Sequence, residues 1–289
     1  MGKKVWLNGE LVEADQASVS VFDHGLLYGD GVFEGIRVYK GRIFKLASHL
    51  RRLKESADAI RLVLQQSLDE IDAATRQVVA ANGIEDGYIR LCVTRGIGTL
   101  GISPDNCTGG TTFIIADTIA LYPNEFYQNG LAIITAKTIR NHPKALSPRI
   151  KSLNYLNNIM AKIEALDAGV LEAVMLNSEG NVAECTGDNV FVVKDNVLIT
   201  PPVEAGMLEG ITMNTVIGLA LENDVAMSRV DLAKDDLYNA DEMFLTGTAA
   251  EVIPVTTIDS RTIGDGKPGP VTRKLLDAFH ALVANAPED

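Results

Sequence analysis

The segment from residue 147 to residue 193 constrains the fold more than any other part of this 289-residue chain. Apolar spacing predicts a helix over residues 155–168, and Gly169 follows it in the usual position of a helix C-cap. Strand patterns over residues 172–176 and 182–184 come next, with Ser178-Glu179-Gly180 as the turn between them. The segment is therefore predicted to fold as a helix followed by a β-hairpin.

The first half of the chain alternates strand patterns with two helices. Asn8-Gly9 supplies a tight turn for a hairpin over residues 4–12. Ser67 and Glu70 match a capping box that opens the second helix, which ends near Asn82. Further strands are predicted over residues 19–22, 34–39, 88–94 and 111–116, and the first helix over residues 46–60. This order predicts an α+β domain.

The second half adds a longer series of strands and ends in an amphipathic helix. Strands are predicted over residues 131–139, 190–193, 197–199, 226–230, 242–245 and 252–258, and helices over residues 212–222 and 271–282. Pro123-Asn124 marks the best boundary between the halves. We therefore expect a small N-terminal domain over residues 1–117, an interdomain loop over 118–130 and a large domain over 131–289.

Composition excludes several classes of protein. An apolar fraction of 46% with 22% charged residues is typical of a soluble globular protein. The net charge of −12 argues against nucleic acid binding. Cys92, Cys107 and Cys185 form no metal-ligand or CxxC spacing, which fits a reducing compartment. The sequence has no signal-like start and no membrane-length apolar run, so we expect a cytoplasmic protein without metal or membrane partner.

Three side chains in and near the first-named segment could do chemistry together. Lys151 precedes the predicted helix, Tyr155 begins it, and Glu184 ends the hairpin. A lysine amine, a phenol and a carboxylate form a plausible set for pyridoxal phosphate, through a Schiff base, a ring-oxygen hydrogen bond and a protonated pyridine nitrogen. A solvated lysine, a tyrosine packed on a helix start and an edge-strand carboxylate fit the same spacing. Spacing alone leaves both interpretations open.

Several separated motifs point to one family. They are HGLLYGDGVFEGIRVY at 24–39, GYIRLCVTRG at 87–96, SLNYLNN after Lys151, EAVMLNSEGNVAECTGDNVFVV at 172–193, LEGIT at 208–212 and TGTAAEVIPV at 246–255. In this order they resemble the branched-chain amino acid aminotransferases, which are fold-type IV pyridoxal phosphate enzymes. The resemblance covers nearly the whole chain. It implies a two-domain α+β fold with a smaller N-terminal α/β domain and a larger domain built around a β-barrel-like sheet.

The resemblance also assigns cofactor residues. It identifies Lys151 as the catalytic lysine that bonds pyridoxal 5'-phosphate, with Tyr155 on the ring oxygen and Glu184 on the pyridine nitrogen. Arg52 would contact the phosphate, whereas neighbouring Arg51 would be exposed. The remaining cofactor residues implied are Leu208 on the ring face and, around the phosphate, Ile211, Thr212 and Thr248, where Gly210 opens a helix and Gly247 begins a small-residue turn.

A pocket in the first half is implied to bind substrate. Arg90 would meet the distal carboxylate of glutamate, while apolar walls accept a branched side chain by burial. The implied substrate residues are Tyr28, Phe33, Gly35, Tyr88, Arg90, Thr248 and Ala249. The loop Leu100-Gly101-Ile102 resembles one that reaches a neighbouring subunit, so we expect a homodimer or a trimer of such dimers.

The expected activity is reversible, ping-pong transfer of the amino group from L-leucine, L-isoleucine or L-valine to 2-oxoglutarate. The partners are therefore small amino acids and 2-oxo acids. Arg95 in VTRG also resembles D-amino acid aminotransferases, and an aminodeoxychorismate lyase of this fold or a non-catalytic dimeric protein are the other interpretations. Met213 and Asn214 stand where the family usually has an arginine after GIT, which implies changed local packing with phosphate binding retained.

Overall fold

The computed structural model describes residues 2–119 and 122–285, which group into two compact units. The first unit comprises the described residues up to 119 together with Ile150–Asn154. The second comprises residues 122–149 and 155–285.

The first unit is built on an antiparallel sheet with two long helices. Its elements are β1 (Lys4–Leu7), β2 (Glu10–Glu13), α1 (His24–Tyr28), β3 (Gly31–Tyr39), β4 (Arg42–Ile43), α2 (Leu46–Ala59), α3 (Leu68–Ala81), β5 (Gly87–Thr94) and β6 (Thr112–Asp117), with a short 3₁₀ turn at Pro104–Asn106. The strand order is β2-β1-β6-β5-β3-β4. Helix α2 packs on β3, and α3 packs on β1 and β6. The apolar side chains of these elements form the core of the unit.

Local signals account for several boundaries in the first unit. Asn8 and Gly9 have φ angles of 49° and 105°, so the β1–β2 hairpin turns where the Asn-Gly pair predicts. Helix α3 begins with the predicted capping box. Ser67 Oγ accepts from the Glu70 amide at 3.2 Å, and the Glu70 carboxylate accepts from the Ser67 amide at 2.7 Å.

The second unit is built on a nine-stranded mixed sheet. Its elements are α4 (Asn124–Asn129), β7 (Leu131–Thr135), α5 (Leu156–Asp167), β8 (Ala173–Leu176), β9 (Val182–Cys185), β10 (Asn189–Lys194), β11 (Val197–Thr200), α6 (Ile211–Glu222), β12 (Met227–Arg229), α7 (Lys234–Tyr238), β13 (Glu242–Gly247), β14 (Glu251–Ile258), β15 (Arg261–Thr262) and α8 (Pro270–Asn285), with a 3₁₀ turn at Val203–Ala205. The strand order is β12-β11-β10-β13-β14-β7-β8-β9, and β15 pairs with β14. The predicted helix and hairpin of residues 155–184 are present as α5, β8 and β9.

The two faces of this sheet are both covered, because side chains alternate along each strand. Met243 and Leu245 of β13 belong to one apolar cluster. Phe244, between them in sequence, stacks on Phe191 of β10 with ring centroids 5.0 Å apart. Helices α6 and α8 pack against each other and against β13. The central strands are therefore buried on both sides, which fixes the positions of their ends.

Some sequence-based predictions of elements are wrong. Residues 19–22 are not a strand, because the Asp23 amide donates to the Ser20 carbonyl at 3.0 Å and closes a turn before α1. Strand β7 ends at Thr135 and not at residue 139, since the amides of residues 137 and 138 donate to the Glu164 carboxylate instead of a strand. Helices α1, α4 and α7 were missed because five or six residues are too few to show helical periodicity.

The segment Ile150–Asn154 belongs to the first unit because it pairs with β3. The Phe33 amide donates to the Lys151 carbonyl at 3.0 Å, and the Leu153 amide donates to the Gly31 carbonyl at 2.8 Å. The interdomain loop over residues 118–130 stays a prediction. Every helix within residues 2–119 and 122–285 is too short or too polar to traverse a bilayer.

Candidate active site

Lys151 lies in the extended segment held against β3. Its amide donates to Ser56 Oγ of α2 at 3.1 Å. Its Nζ lies 4.6 Å from the centroid of the Phe33 ring, and the residue is half-buried. The backbone on both sides of this lysine is therefore fixed by strand and helix, and its amine rests on an aromatic face and not in open solvent.

Arg90 lies over the same ring. Its guanidinium carbon is 4.5 Å from the Phe33 centroid and 5.5 Å from the Tyr88 centroid. Among the described residues, no carboxylate forms an ion pair with Arg90. A half-buried cation with only aromatic neighbours in the protein can accept the carboxylate of a ligand.

Gly35 is required by its neighbour across the sheet. A Cβ atom at position 35 would lie 1.7 Å from the Tyr88 hydroxyl oxygen. Gly35 pairs with Arg90, and Tyr88 pairs with Arg37, so the phenol reaches diagonally over Gly35. The glycine thus makes room for the Tyr88 phenol next to the Arg90 cation.

Tyr28 contacts the predicted partner-subunit loop. Its phenol donates to the Leu100 carbonyl, and His24 Nε2 lies 2.8 Å from the Thr99 carbonyl oxygen. The side chains of Leu100 and Ile102 are 71% and 82% exposed, with Gly101 between them. Helix α1 therefore anchors a loop that presents apolar side chains to its surroundings.

Arg52 is held by a buried carboxylate. Its Nε and one Nη donate to the two oxygens of Glu34 at 2.8 and 2.7 Å, and His49 Nδ1 lies 2.8 Å from Glu34. Burial raises the pKa of Glu34, but the Arg52 charge and the hydrogen bonds from Arg52 and His49 outweigh it and lower that pKa to about 2. Burial lowers the pKa of His49, so the imidazole is neutral. Arg52 therefore stands in a fixed orientation, while Arg51 is exposed as expected.

In the second unit, Glu184 is buried on β9 with both oxygens occupied. Arg140 Nε donates to Oε1 at 2.6 Å, and the Leu208 amide donates to Oε2 at 2.9 Å. Arg140 is itself 6% exposed and donates to Asn157 Oδ1 at 2.9 Å. Sequence reasoning missed Arg140, whose only signal was a lone cation after the β7 pattern. The pair keeps Glu184 charged and oriented in a buried position.

The remaining predicted cofactor residues of this unit lie at a helix start and at a tight turn. Tyr155 is half-buried at the N-cap of α5. Gly210 is the N-cap of α6, where no described side chain caps the helix, and a Cβ there would lie 2.1 Å from Asn189 Oδ1. The amides of Ile211 and Thr212 thus open a helix whose dipole favours an anion.

Thr248 and Ala249 lie in the loop between β13 and β14. The loop spans three residues, because Gly247 pairs with Glu251. Glu251 has φ of 58°, the left-handed position that follows a type I turn in three-residue hairpins. Thr248 and Ala249 are half-buried and present a hydroxyl and backbone amides.

Each unit therefore contains one chemically coherent set of the predicted residues. The first holds the amine, the phosphate-type cation and the apolar pocket residues: Lys151, Arg52, Tyr28, Phe33, Gly35, Tyr88 and Arg90. The second holds the phenol, the buried carboxylate and the anion-binding turns: Tyr155, Glu184, Leu208, Ile211, Thr212, Thr248 and Ala249. An amine, a buried anion for a pyridinium and a helix N-terminus for a phosphate are the donor set that pyridoxal phosphate requires.

Two departures from the expected motif have structural explanations. Arg95 donates to both oxygens of Asp30 at 2.9 Å and to the carbonyls of residues 60 and 61, so it is used within the first unit. Met213 is fully buried on α6, where it packs in the core in place of an arginine. Asn214, the next residue, is exposed.

Comparison with known proteins connects these sets of residues. The family profile described as amino-transferase class IV matches residues 31–258. The branched-chain-amino-acid aminotransferase of Pseudomonas aeruginosa is 40% identical, over 98% of this chain and 94% of its own. The crystal structure of the Escherichia coli branched-chain amino acid aminotransferase superposes with a TM-score of 0.95 at 35% identity, covering 98% and 95% of the two chains. That of the Thermobaculum terrenum enzyme in its PLP-form gives 0.88 at 35% identity, covering 98% and 94%.

Proposed function

The chain belongs to the class IV aminotransferase family, and from this membership we infer that it is a branched-chain amino acid aminotransferase. The amino group passes from L-leucine, L-isoleucine or L-valine to 2-oxoglutarate, and the cofactor is pyridoxal 5'-phosphate. The expected fold, a fold-type IV aminotransferase of the α+β class, is confirmed by the superposed crystal structures.

One observation carries the substrate assignment. The Phe33 ring has the Lys151 amine 4.6 Å and the Arg90 guanidinium 4.5 Å from its centroid. A nucleophilic amine and a carboxylate-binding cation therefore share one aromatic surface. An aliphatic side chain can pack on that ring, and the distal carboxylate of glutamate can reach Arg90, so one pocket serves two unlike substrates.

The cofactor, when bound, supplies an electron sink for the carbanion at the substrate α-carbon. Lys151 would bond its aldehyde, and the Glu184 carboxylate, fixed by Arg140, would keep the pyridine nitrogen protonated. Tyr155 would donate to the ring oxygen and Leu208 would pack on the ring. The phosphate would be held by Arg52 and by the amides and hydroxyls of Ile211, Thr212 and Thr248.

Lys151 is also the acid–base group of the proposed reaction. Its Nζ takes the proton from the substrate α-carbon and returns it to the cofactor carbon. Tyr88 and the turn at Thr248 and Ala249 would orient the α-carboxylate, so that the α-proton faces the amine. Lys151→Ala should abolish turnover and leave the far-ultraviolet circular dichroism unchanged. Borohydride trapping followed by peptide mapping that labelled another lysine would contradict the assignment.

The test of the substrate assignment separates the two half-reactions. Arg90→Gln should raise the KM for 2-oxoglutarate roughly tenfold or more, because a charge-assisted contact contributes about 1.5–3 kcal/mol. The half-reaction with L-leucine should change little. Arg51→Gln, on the exposed side of α2, is the matched control and should change neither. Equal losses in both half-reactions would contradict the assigned role of Arg90.

A D-amino acid aminotransferase is the main alternative. That activity would need Arg95 for the substrate carboxylate, yet Arg95 already binds Asp30 and two backbone carbonyls. L-leucine, D-alanine and aminodeoxychorismate assayed side by side should give turnover with L-leucine, with parallel lines in initial-rate plots against 2-oxoglutarate. Preference for D-alanine would replace the proposed substrate.

We propose that the protein is a homodimer or a trimer of such dimers. Helix α5 carries an exposed apolar stripe of Leu156, Ile159, Met160, Ile163 and Leu166, each at least 44% exposed. Stripes of this kind mark interfaces, and the apolar loop at Leu100 and Ile102 adds a second candidate contact. Ile163→Lys should yield smaller species in sedimentation velocity. Leu221→Lys, equally exposed on α6, should not, and an unchanged Ile163→Lys assembly would remove α5 from the interface.

We propose a cytoplasmic location, with amino acids and 2-oxo acids as the only partners. The free thiols of Cys92, Cys107 and Cys185 support a reducing compartment. Activity that separated from a cytoplasmic marker during cell fractionation would contradict this location.

A further inference from the structure

Two buried carboxyl groups of the second unit have no role in the function proposed above. Glu172 precedes β8 and is 2% exposed, and Asp188 precedes β10 and is 8% exposed. Glu172 Oε1 accepts from the Ala173 amide at 2.7 Å and from the Thr186 amide at 3.0 Å. These two amides favour the charged form of Glu172.

Asp188 is hydrogen-bonded to Glu172. Two carboxylates in contact and out of water cannot both be charged at low cost, so one of them retains a proton. Burial raises the pKa of Asp188, and the Glu172 charge and hydrogen bond raise it further, to about 8. Since Glu172 already accepts two amide hydrogen bonds, Asp188 is the member that carries the proton at neutral pH.

The Asp188 carboxyl also lies against the strand that leads into the anion-binding turn. A Cβ atom at Gly247 would lie 1.8 Å from Asp188 Oδ1, so only glycine fits beside this group. Asn189, the next residue, pairs with Thr246. The two acids therefore join the start of β8, the end of β9, the start of β10 and the end of β13.

We propose that Asp188 is a positioning residue: Asp188 and Glu172 share one proton, and the pair holds the turn of Thr248 and Ala249 in place for anions. This inference rests on the proposed function, which assigns the cofactor phosphate and the substrate α-carboxylate to that turn. Loss of the shared proton places a second negative charge beside Gly247. Anion binding at the turn then weakens, and the strand ends that meet at the pair are pushed apart.

Other titratable groups around the pair do not replace it as the proton carrier. Lys162 of α5 lowers the pKa of Asp188, and the Glu184 charge raises it. Burial and the charges of the pair raise the pKa of Tyr122 and of Cys185 far enough to keep both protonated, and Tyr127 adds to the effect on Tyr122. Asp188 is therefore the group in this cluster that titrates near neutrality.

Infrared spectroscopy of the apoprotein tests the shared proton directly. The wild type should show the carbonyl stretch of a buried protonated carboxyl group, which disappears as the pH rises through about 8. Asp188→Asn, which keeps shape and a donor for Glu172, should lack this band. Glu172→Gln should retain it but lose it at lower pH. Asp195→Asn, in the exposed β10–β11 turn, is the control and should match the wild type. A band that persists unchanged in Asp188→Asn would overturn the inference.

Cofactor affinity tests the positioning role. Equilibrium dialysis of pyridoxal phosphate against wild type should show affinity falling roughly tenfold across this transition, as one added charge nearby would cause. Asp188→Asn should show no such fall and should match the wild type below the transition. Equal pH dependence in both proteins would overturn the role. Failure of the wild type to bind the cofactor at any pH would contradict the proposed function instead, and the infrared result would still decide whether the proton is shared.

Discussion

At the scale of single residues, the absence of a side chain shapes the substrate pocket. The Tyr88 hydroxyl occupies the space that a Cβ at Gly35 would take. Gly35→Ala should therefore displace Tyr88 and raise the KM for both substrates roughly tenfold, the cost of about one hydrogen bond. Gly218→Ala is the matched control, because a Cβ on that face of α6 meets open space and Ala favours helix. Unchanged steady-state kinetics in Gly35→Ala would show that Tyr88 can move without cost.

At the scale of elements, helix α8 supports the start of β14. His280 Nε2 lies 3.1 Å from Glu251 Oε2, and Glu251 occupies the left-handed position that closes the turn at Thr248 and Ala249. The hydrogen bond to Glu251 raises the pKa of His280, so this contribution is complete below the ordinary histidine pKa and lost as pH rises through the raised value. His280→Gln should lower the free energy of unfolding in mildly acidic urea titrations. The difference from wild type should vanish at alkaline pH, and a constant difference would exclude the ion pair as its cause.

At the scale of the whole molecule, both units depend on charged acids. Burial alone would raise the pKa of Glu34 in the first unit and of Asp259 in the second, but their partners lower each to about 2. A lowered carboxyl pKa stabilises above its ordinary value, and the gain is lost as pH falls through the lowered one. The free energy of unfolding should therefore fall between about pH 4.5 and pH 2. Glu34→Gln should be less stable at neutral pH by about 3 kcal/mol and should show a shallower acid loss in urea titrations. An identical acid profile would contradict the role of Glu34.

What the sequence determined by itself are the features with short-range causes. The Asn8-Gly9 turn, the Ser67–Glu70 capping box, helix α5 and the hairpin after it depend on neighbours within a few residues, and all were found where predicted. Recognition of the family followed from motif order and is confirmed. The assignment of Lys151 and Glu184 to the cofactor came from that resemblance and stays a prediction, since spacing alone fits surface residues equally well.

Only the tertiary structure decided which side chains share an environment. Arg140 lies 44 positions before Glu184, and Asp188 lies 59 positions before Gly247, so no local pattern could connect either pair. The tertiary structure likewise showed that Arg95 is used by Asp30, whereas Arg90 lies over Phe33. The physical reason is that pairing of distant strands sets these contacts, and their energies depend on burial, which a residue acquires only when the whole sheet has formed.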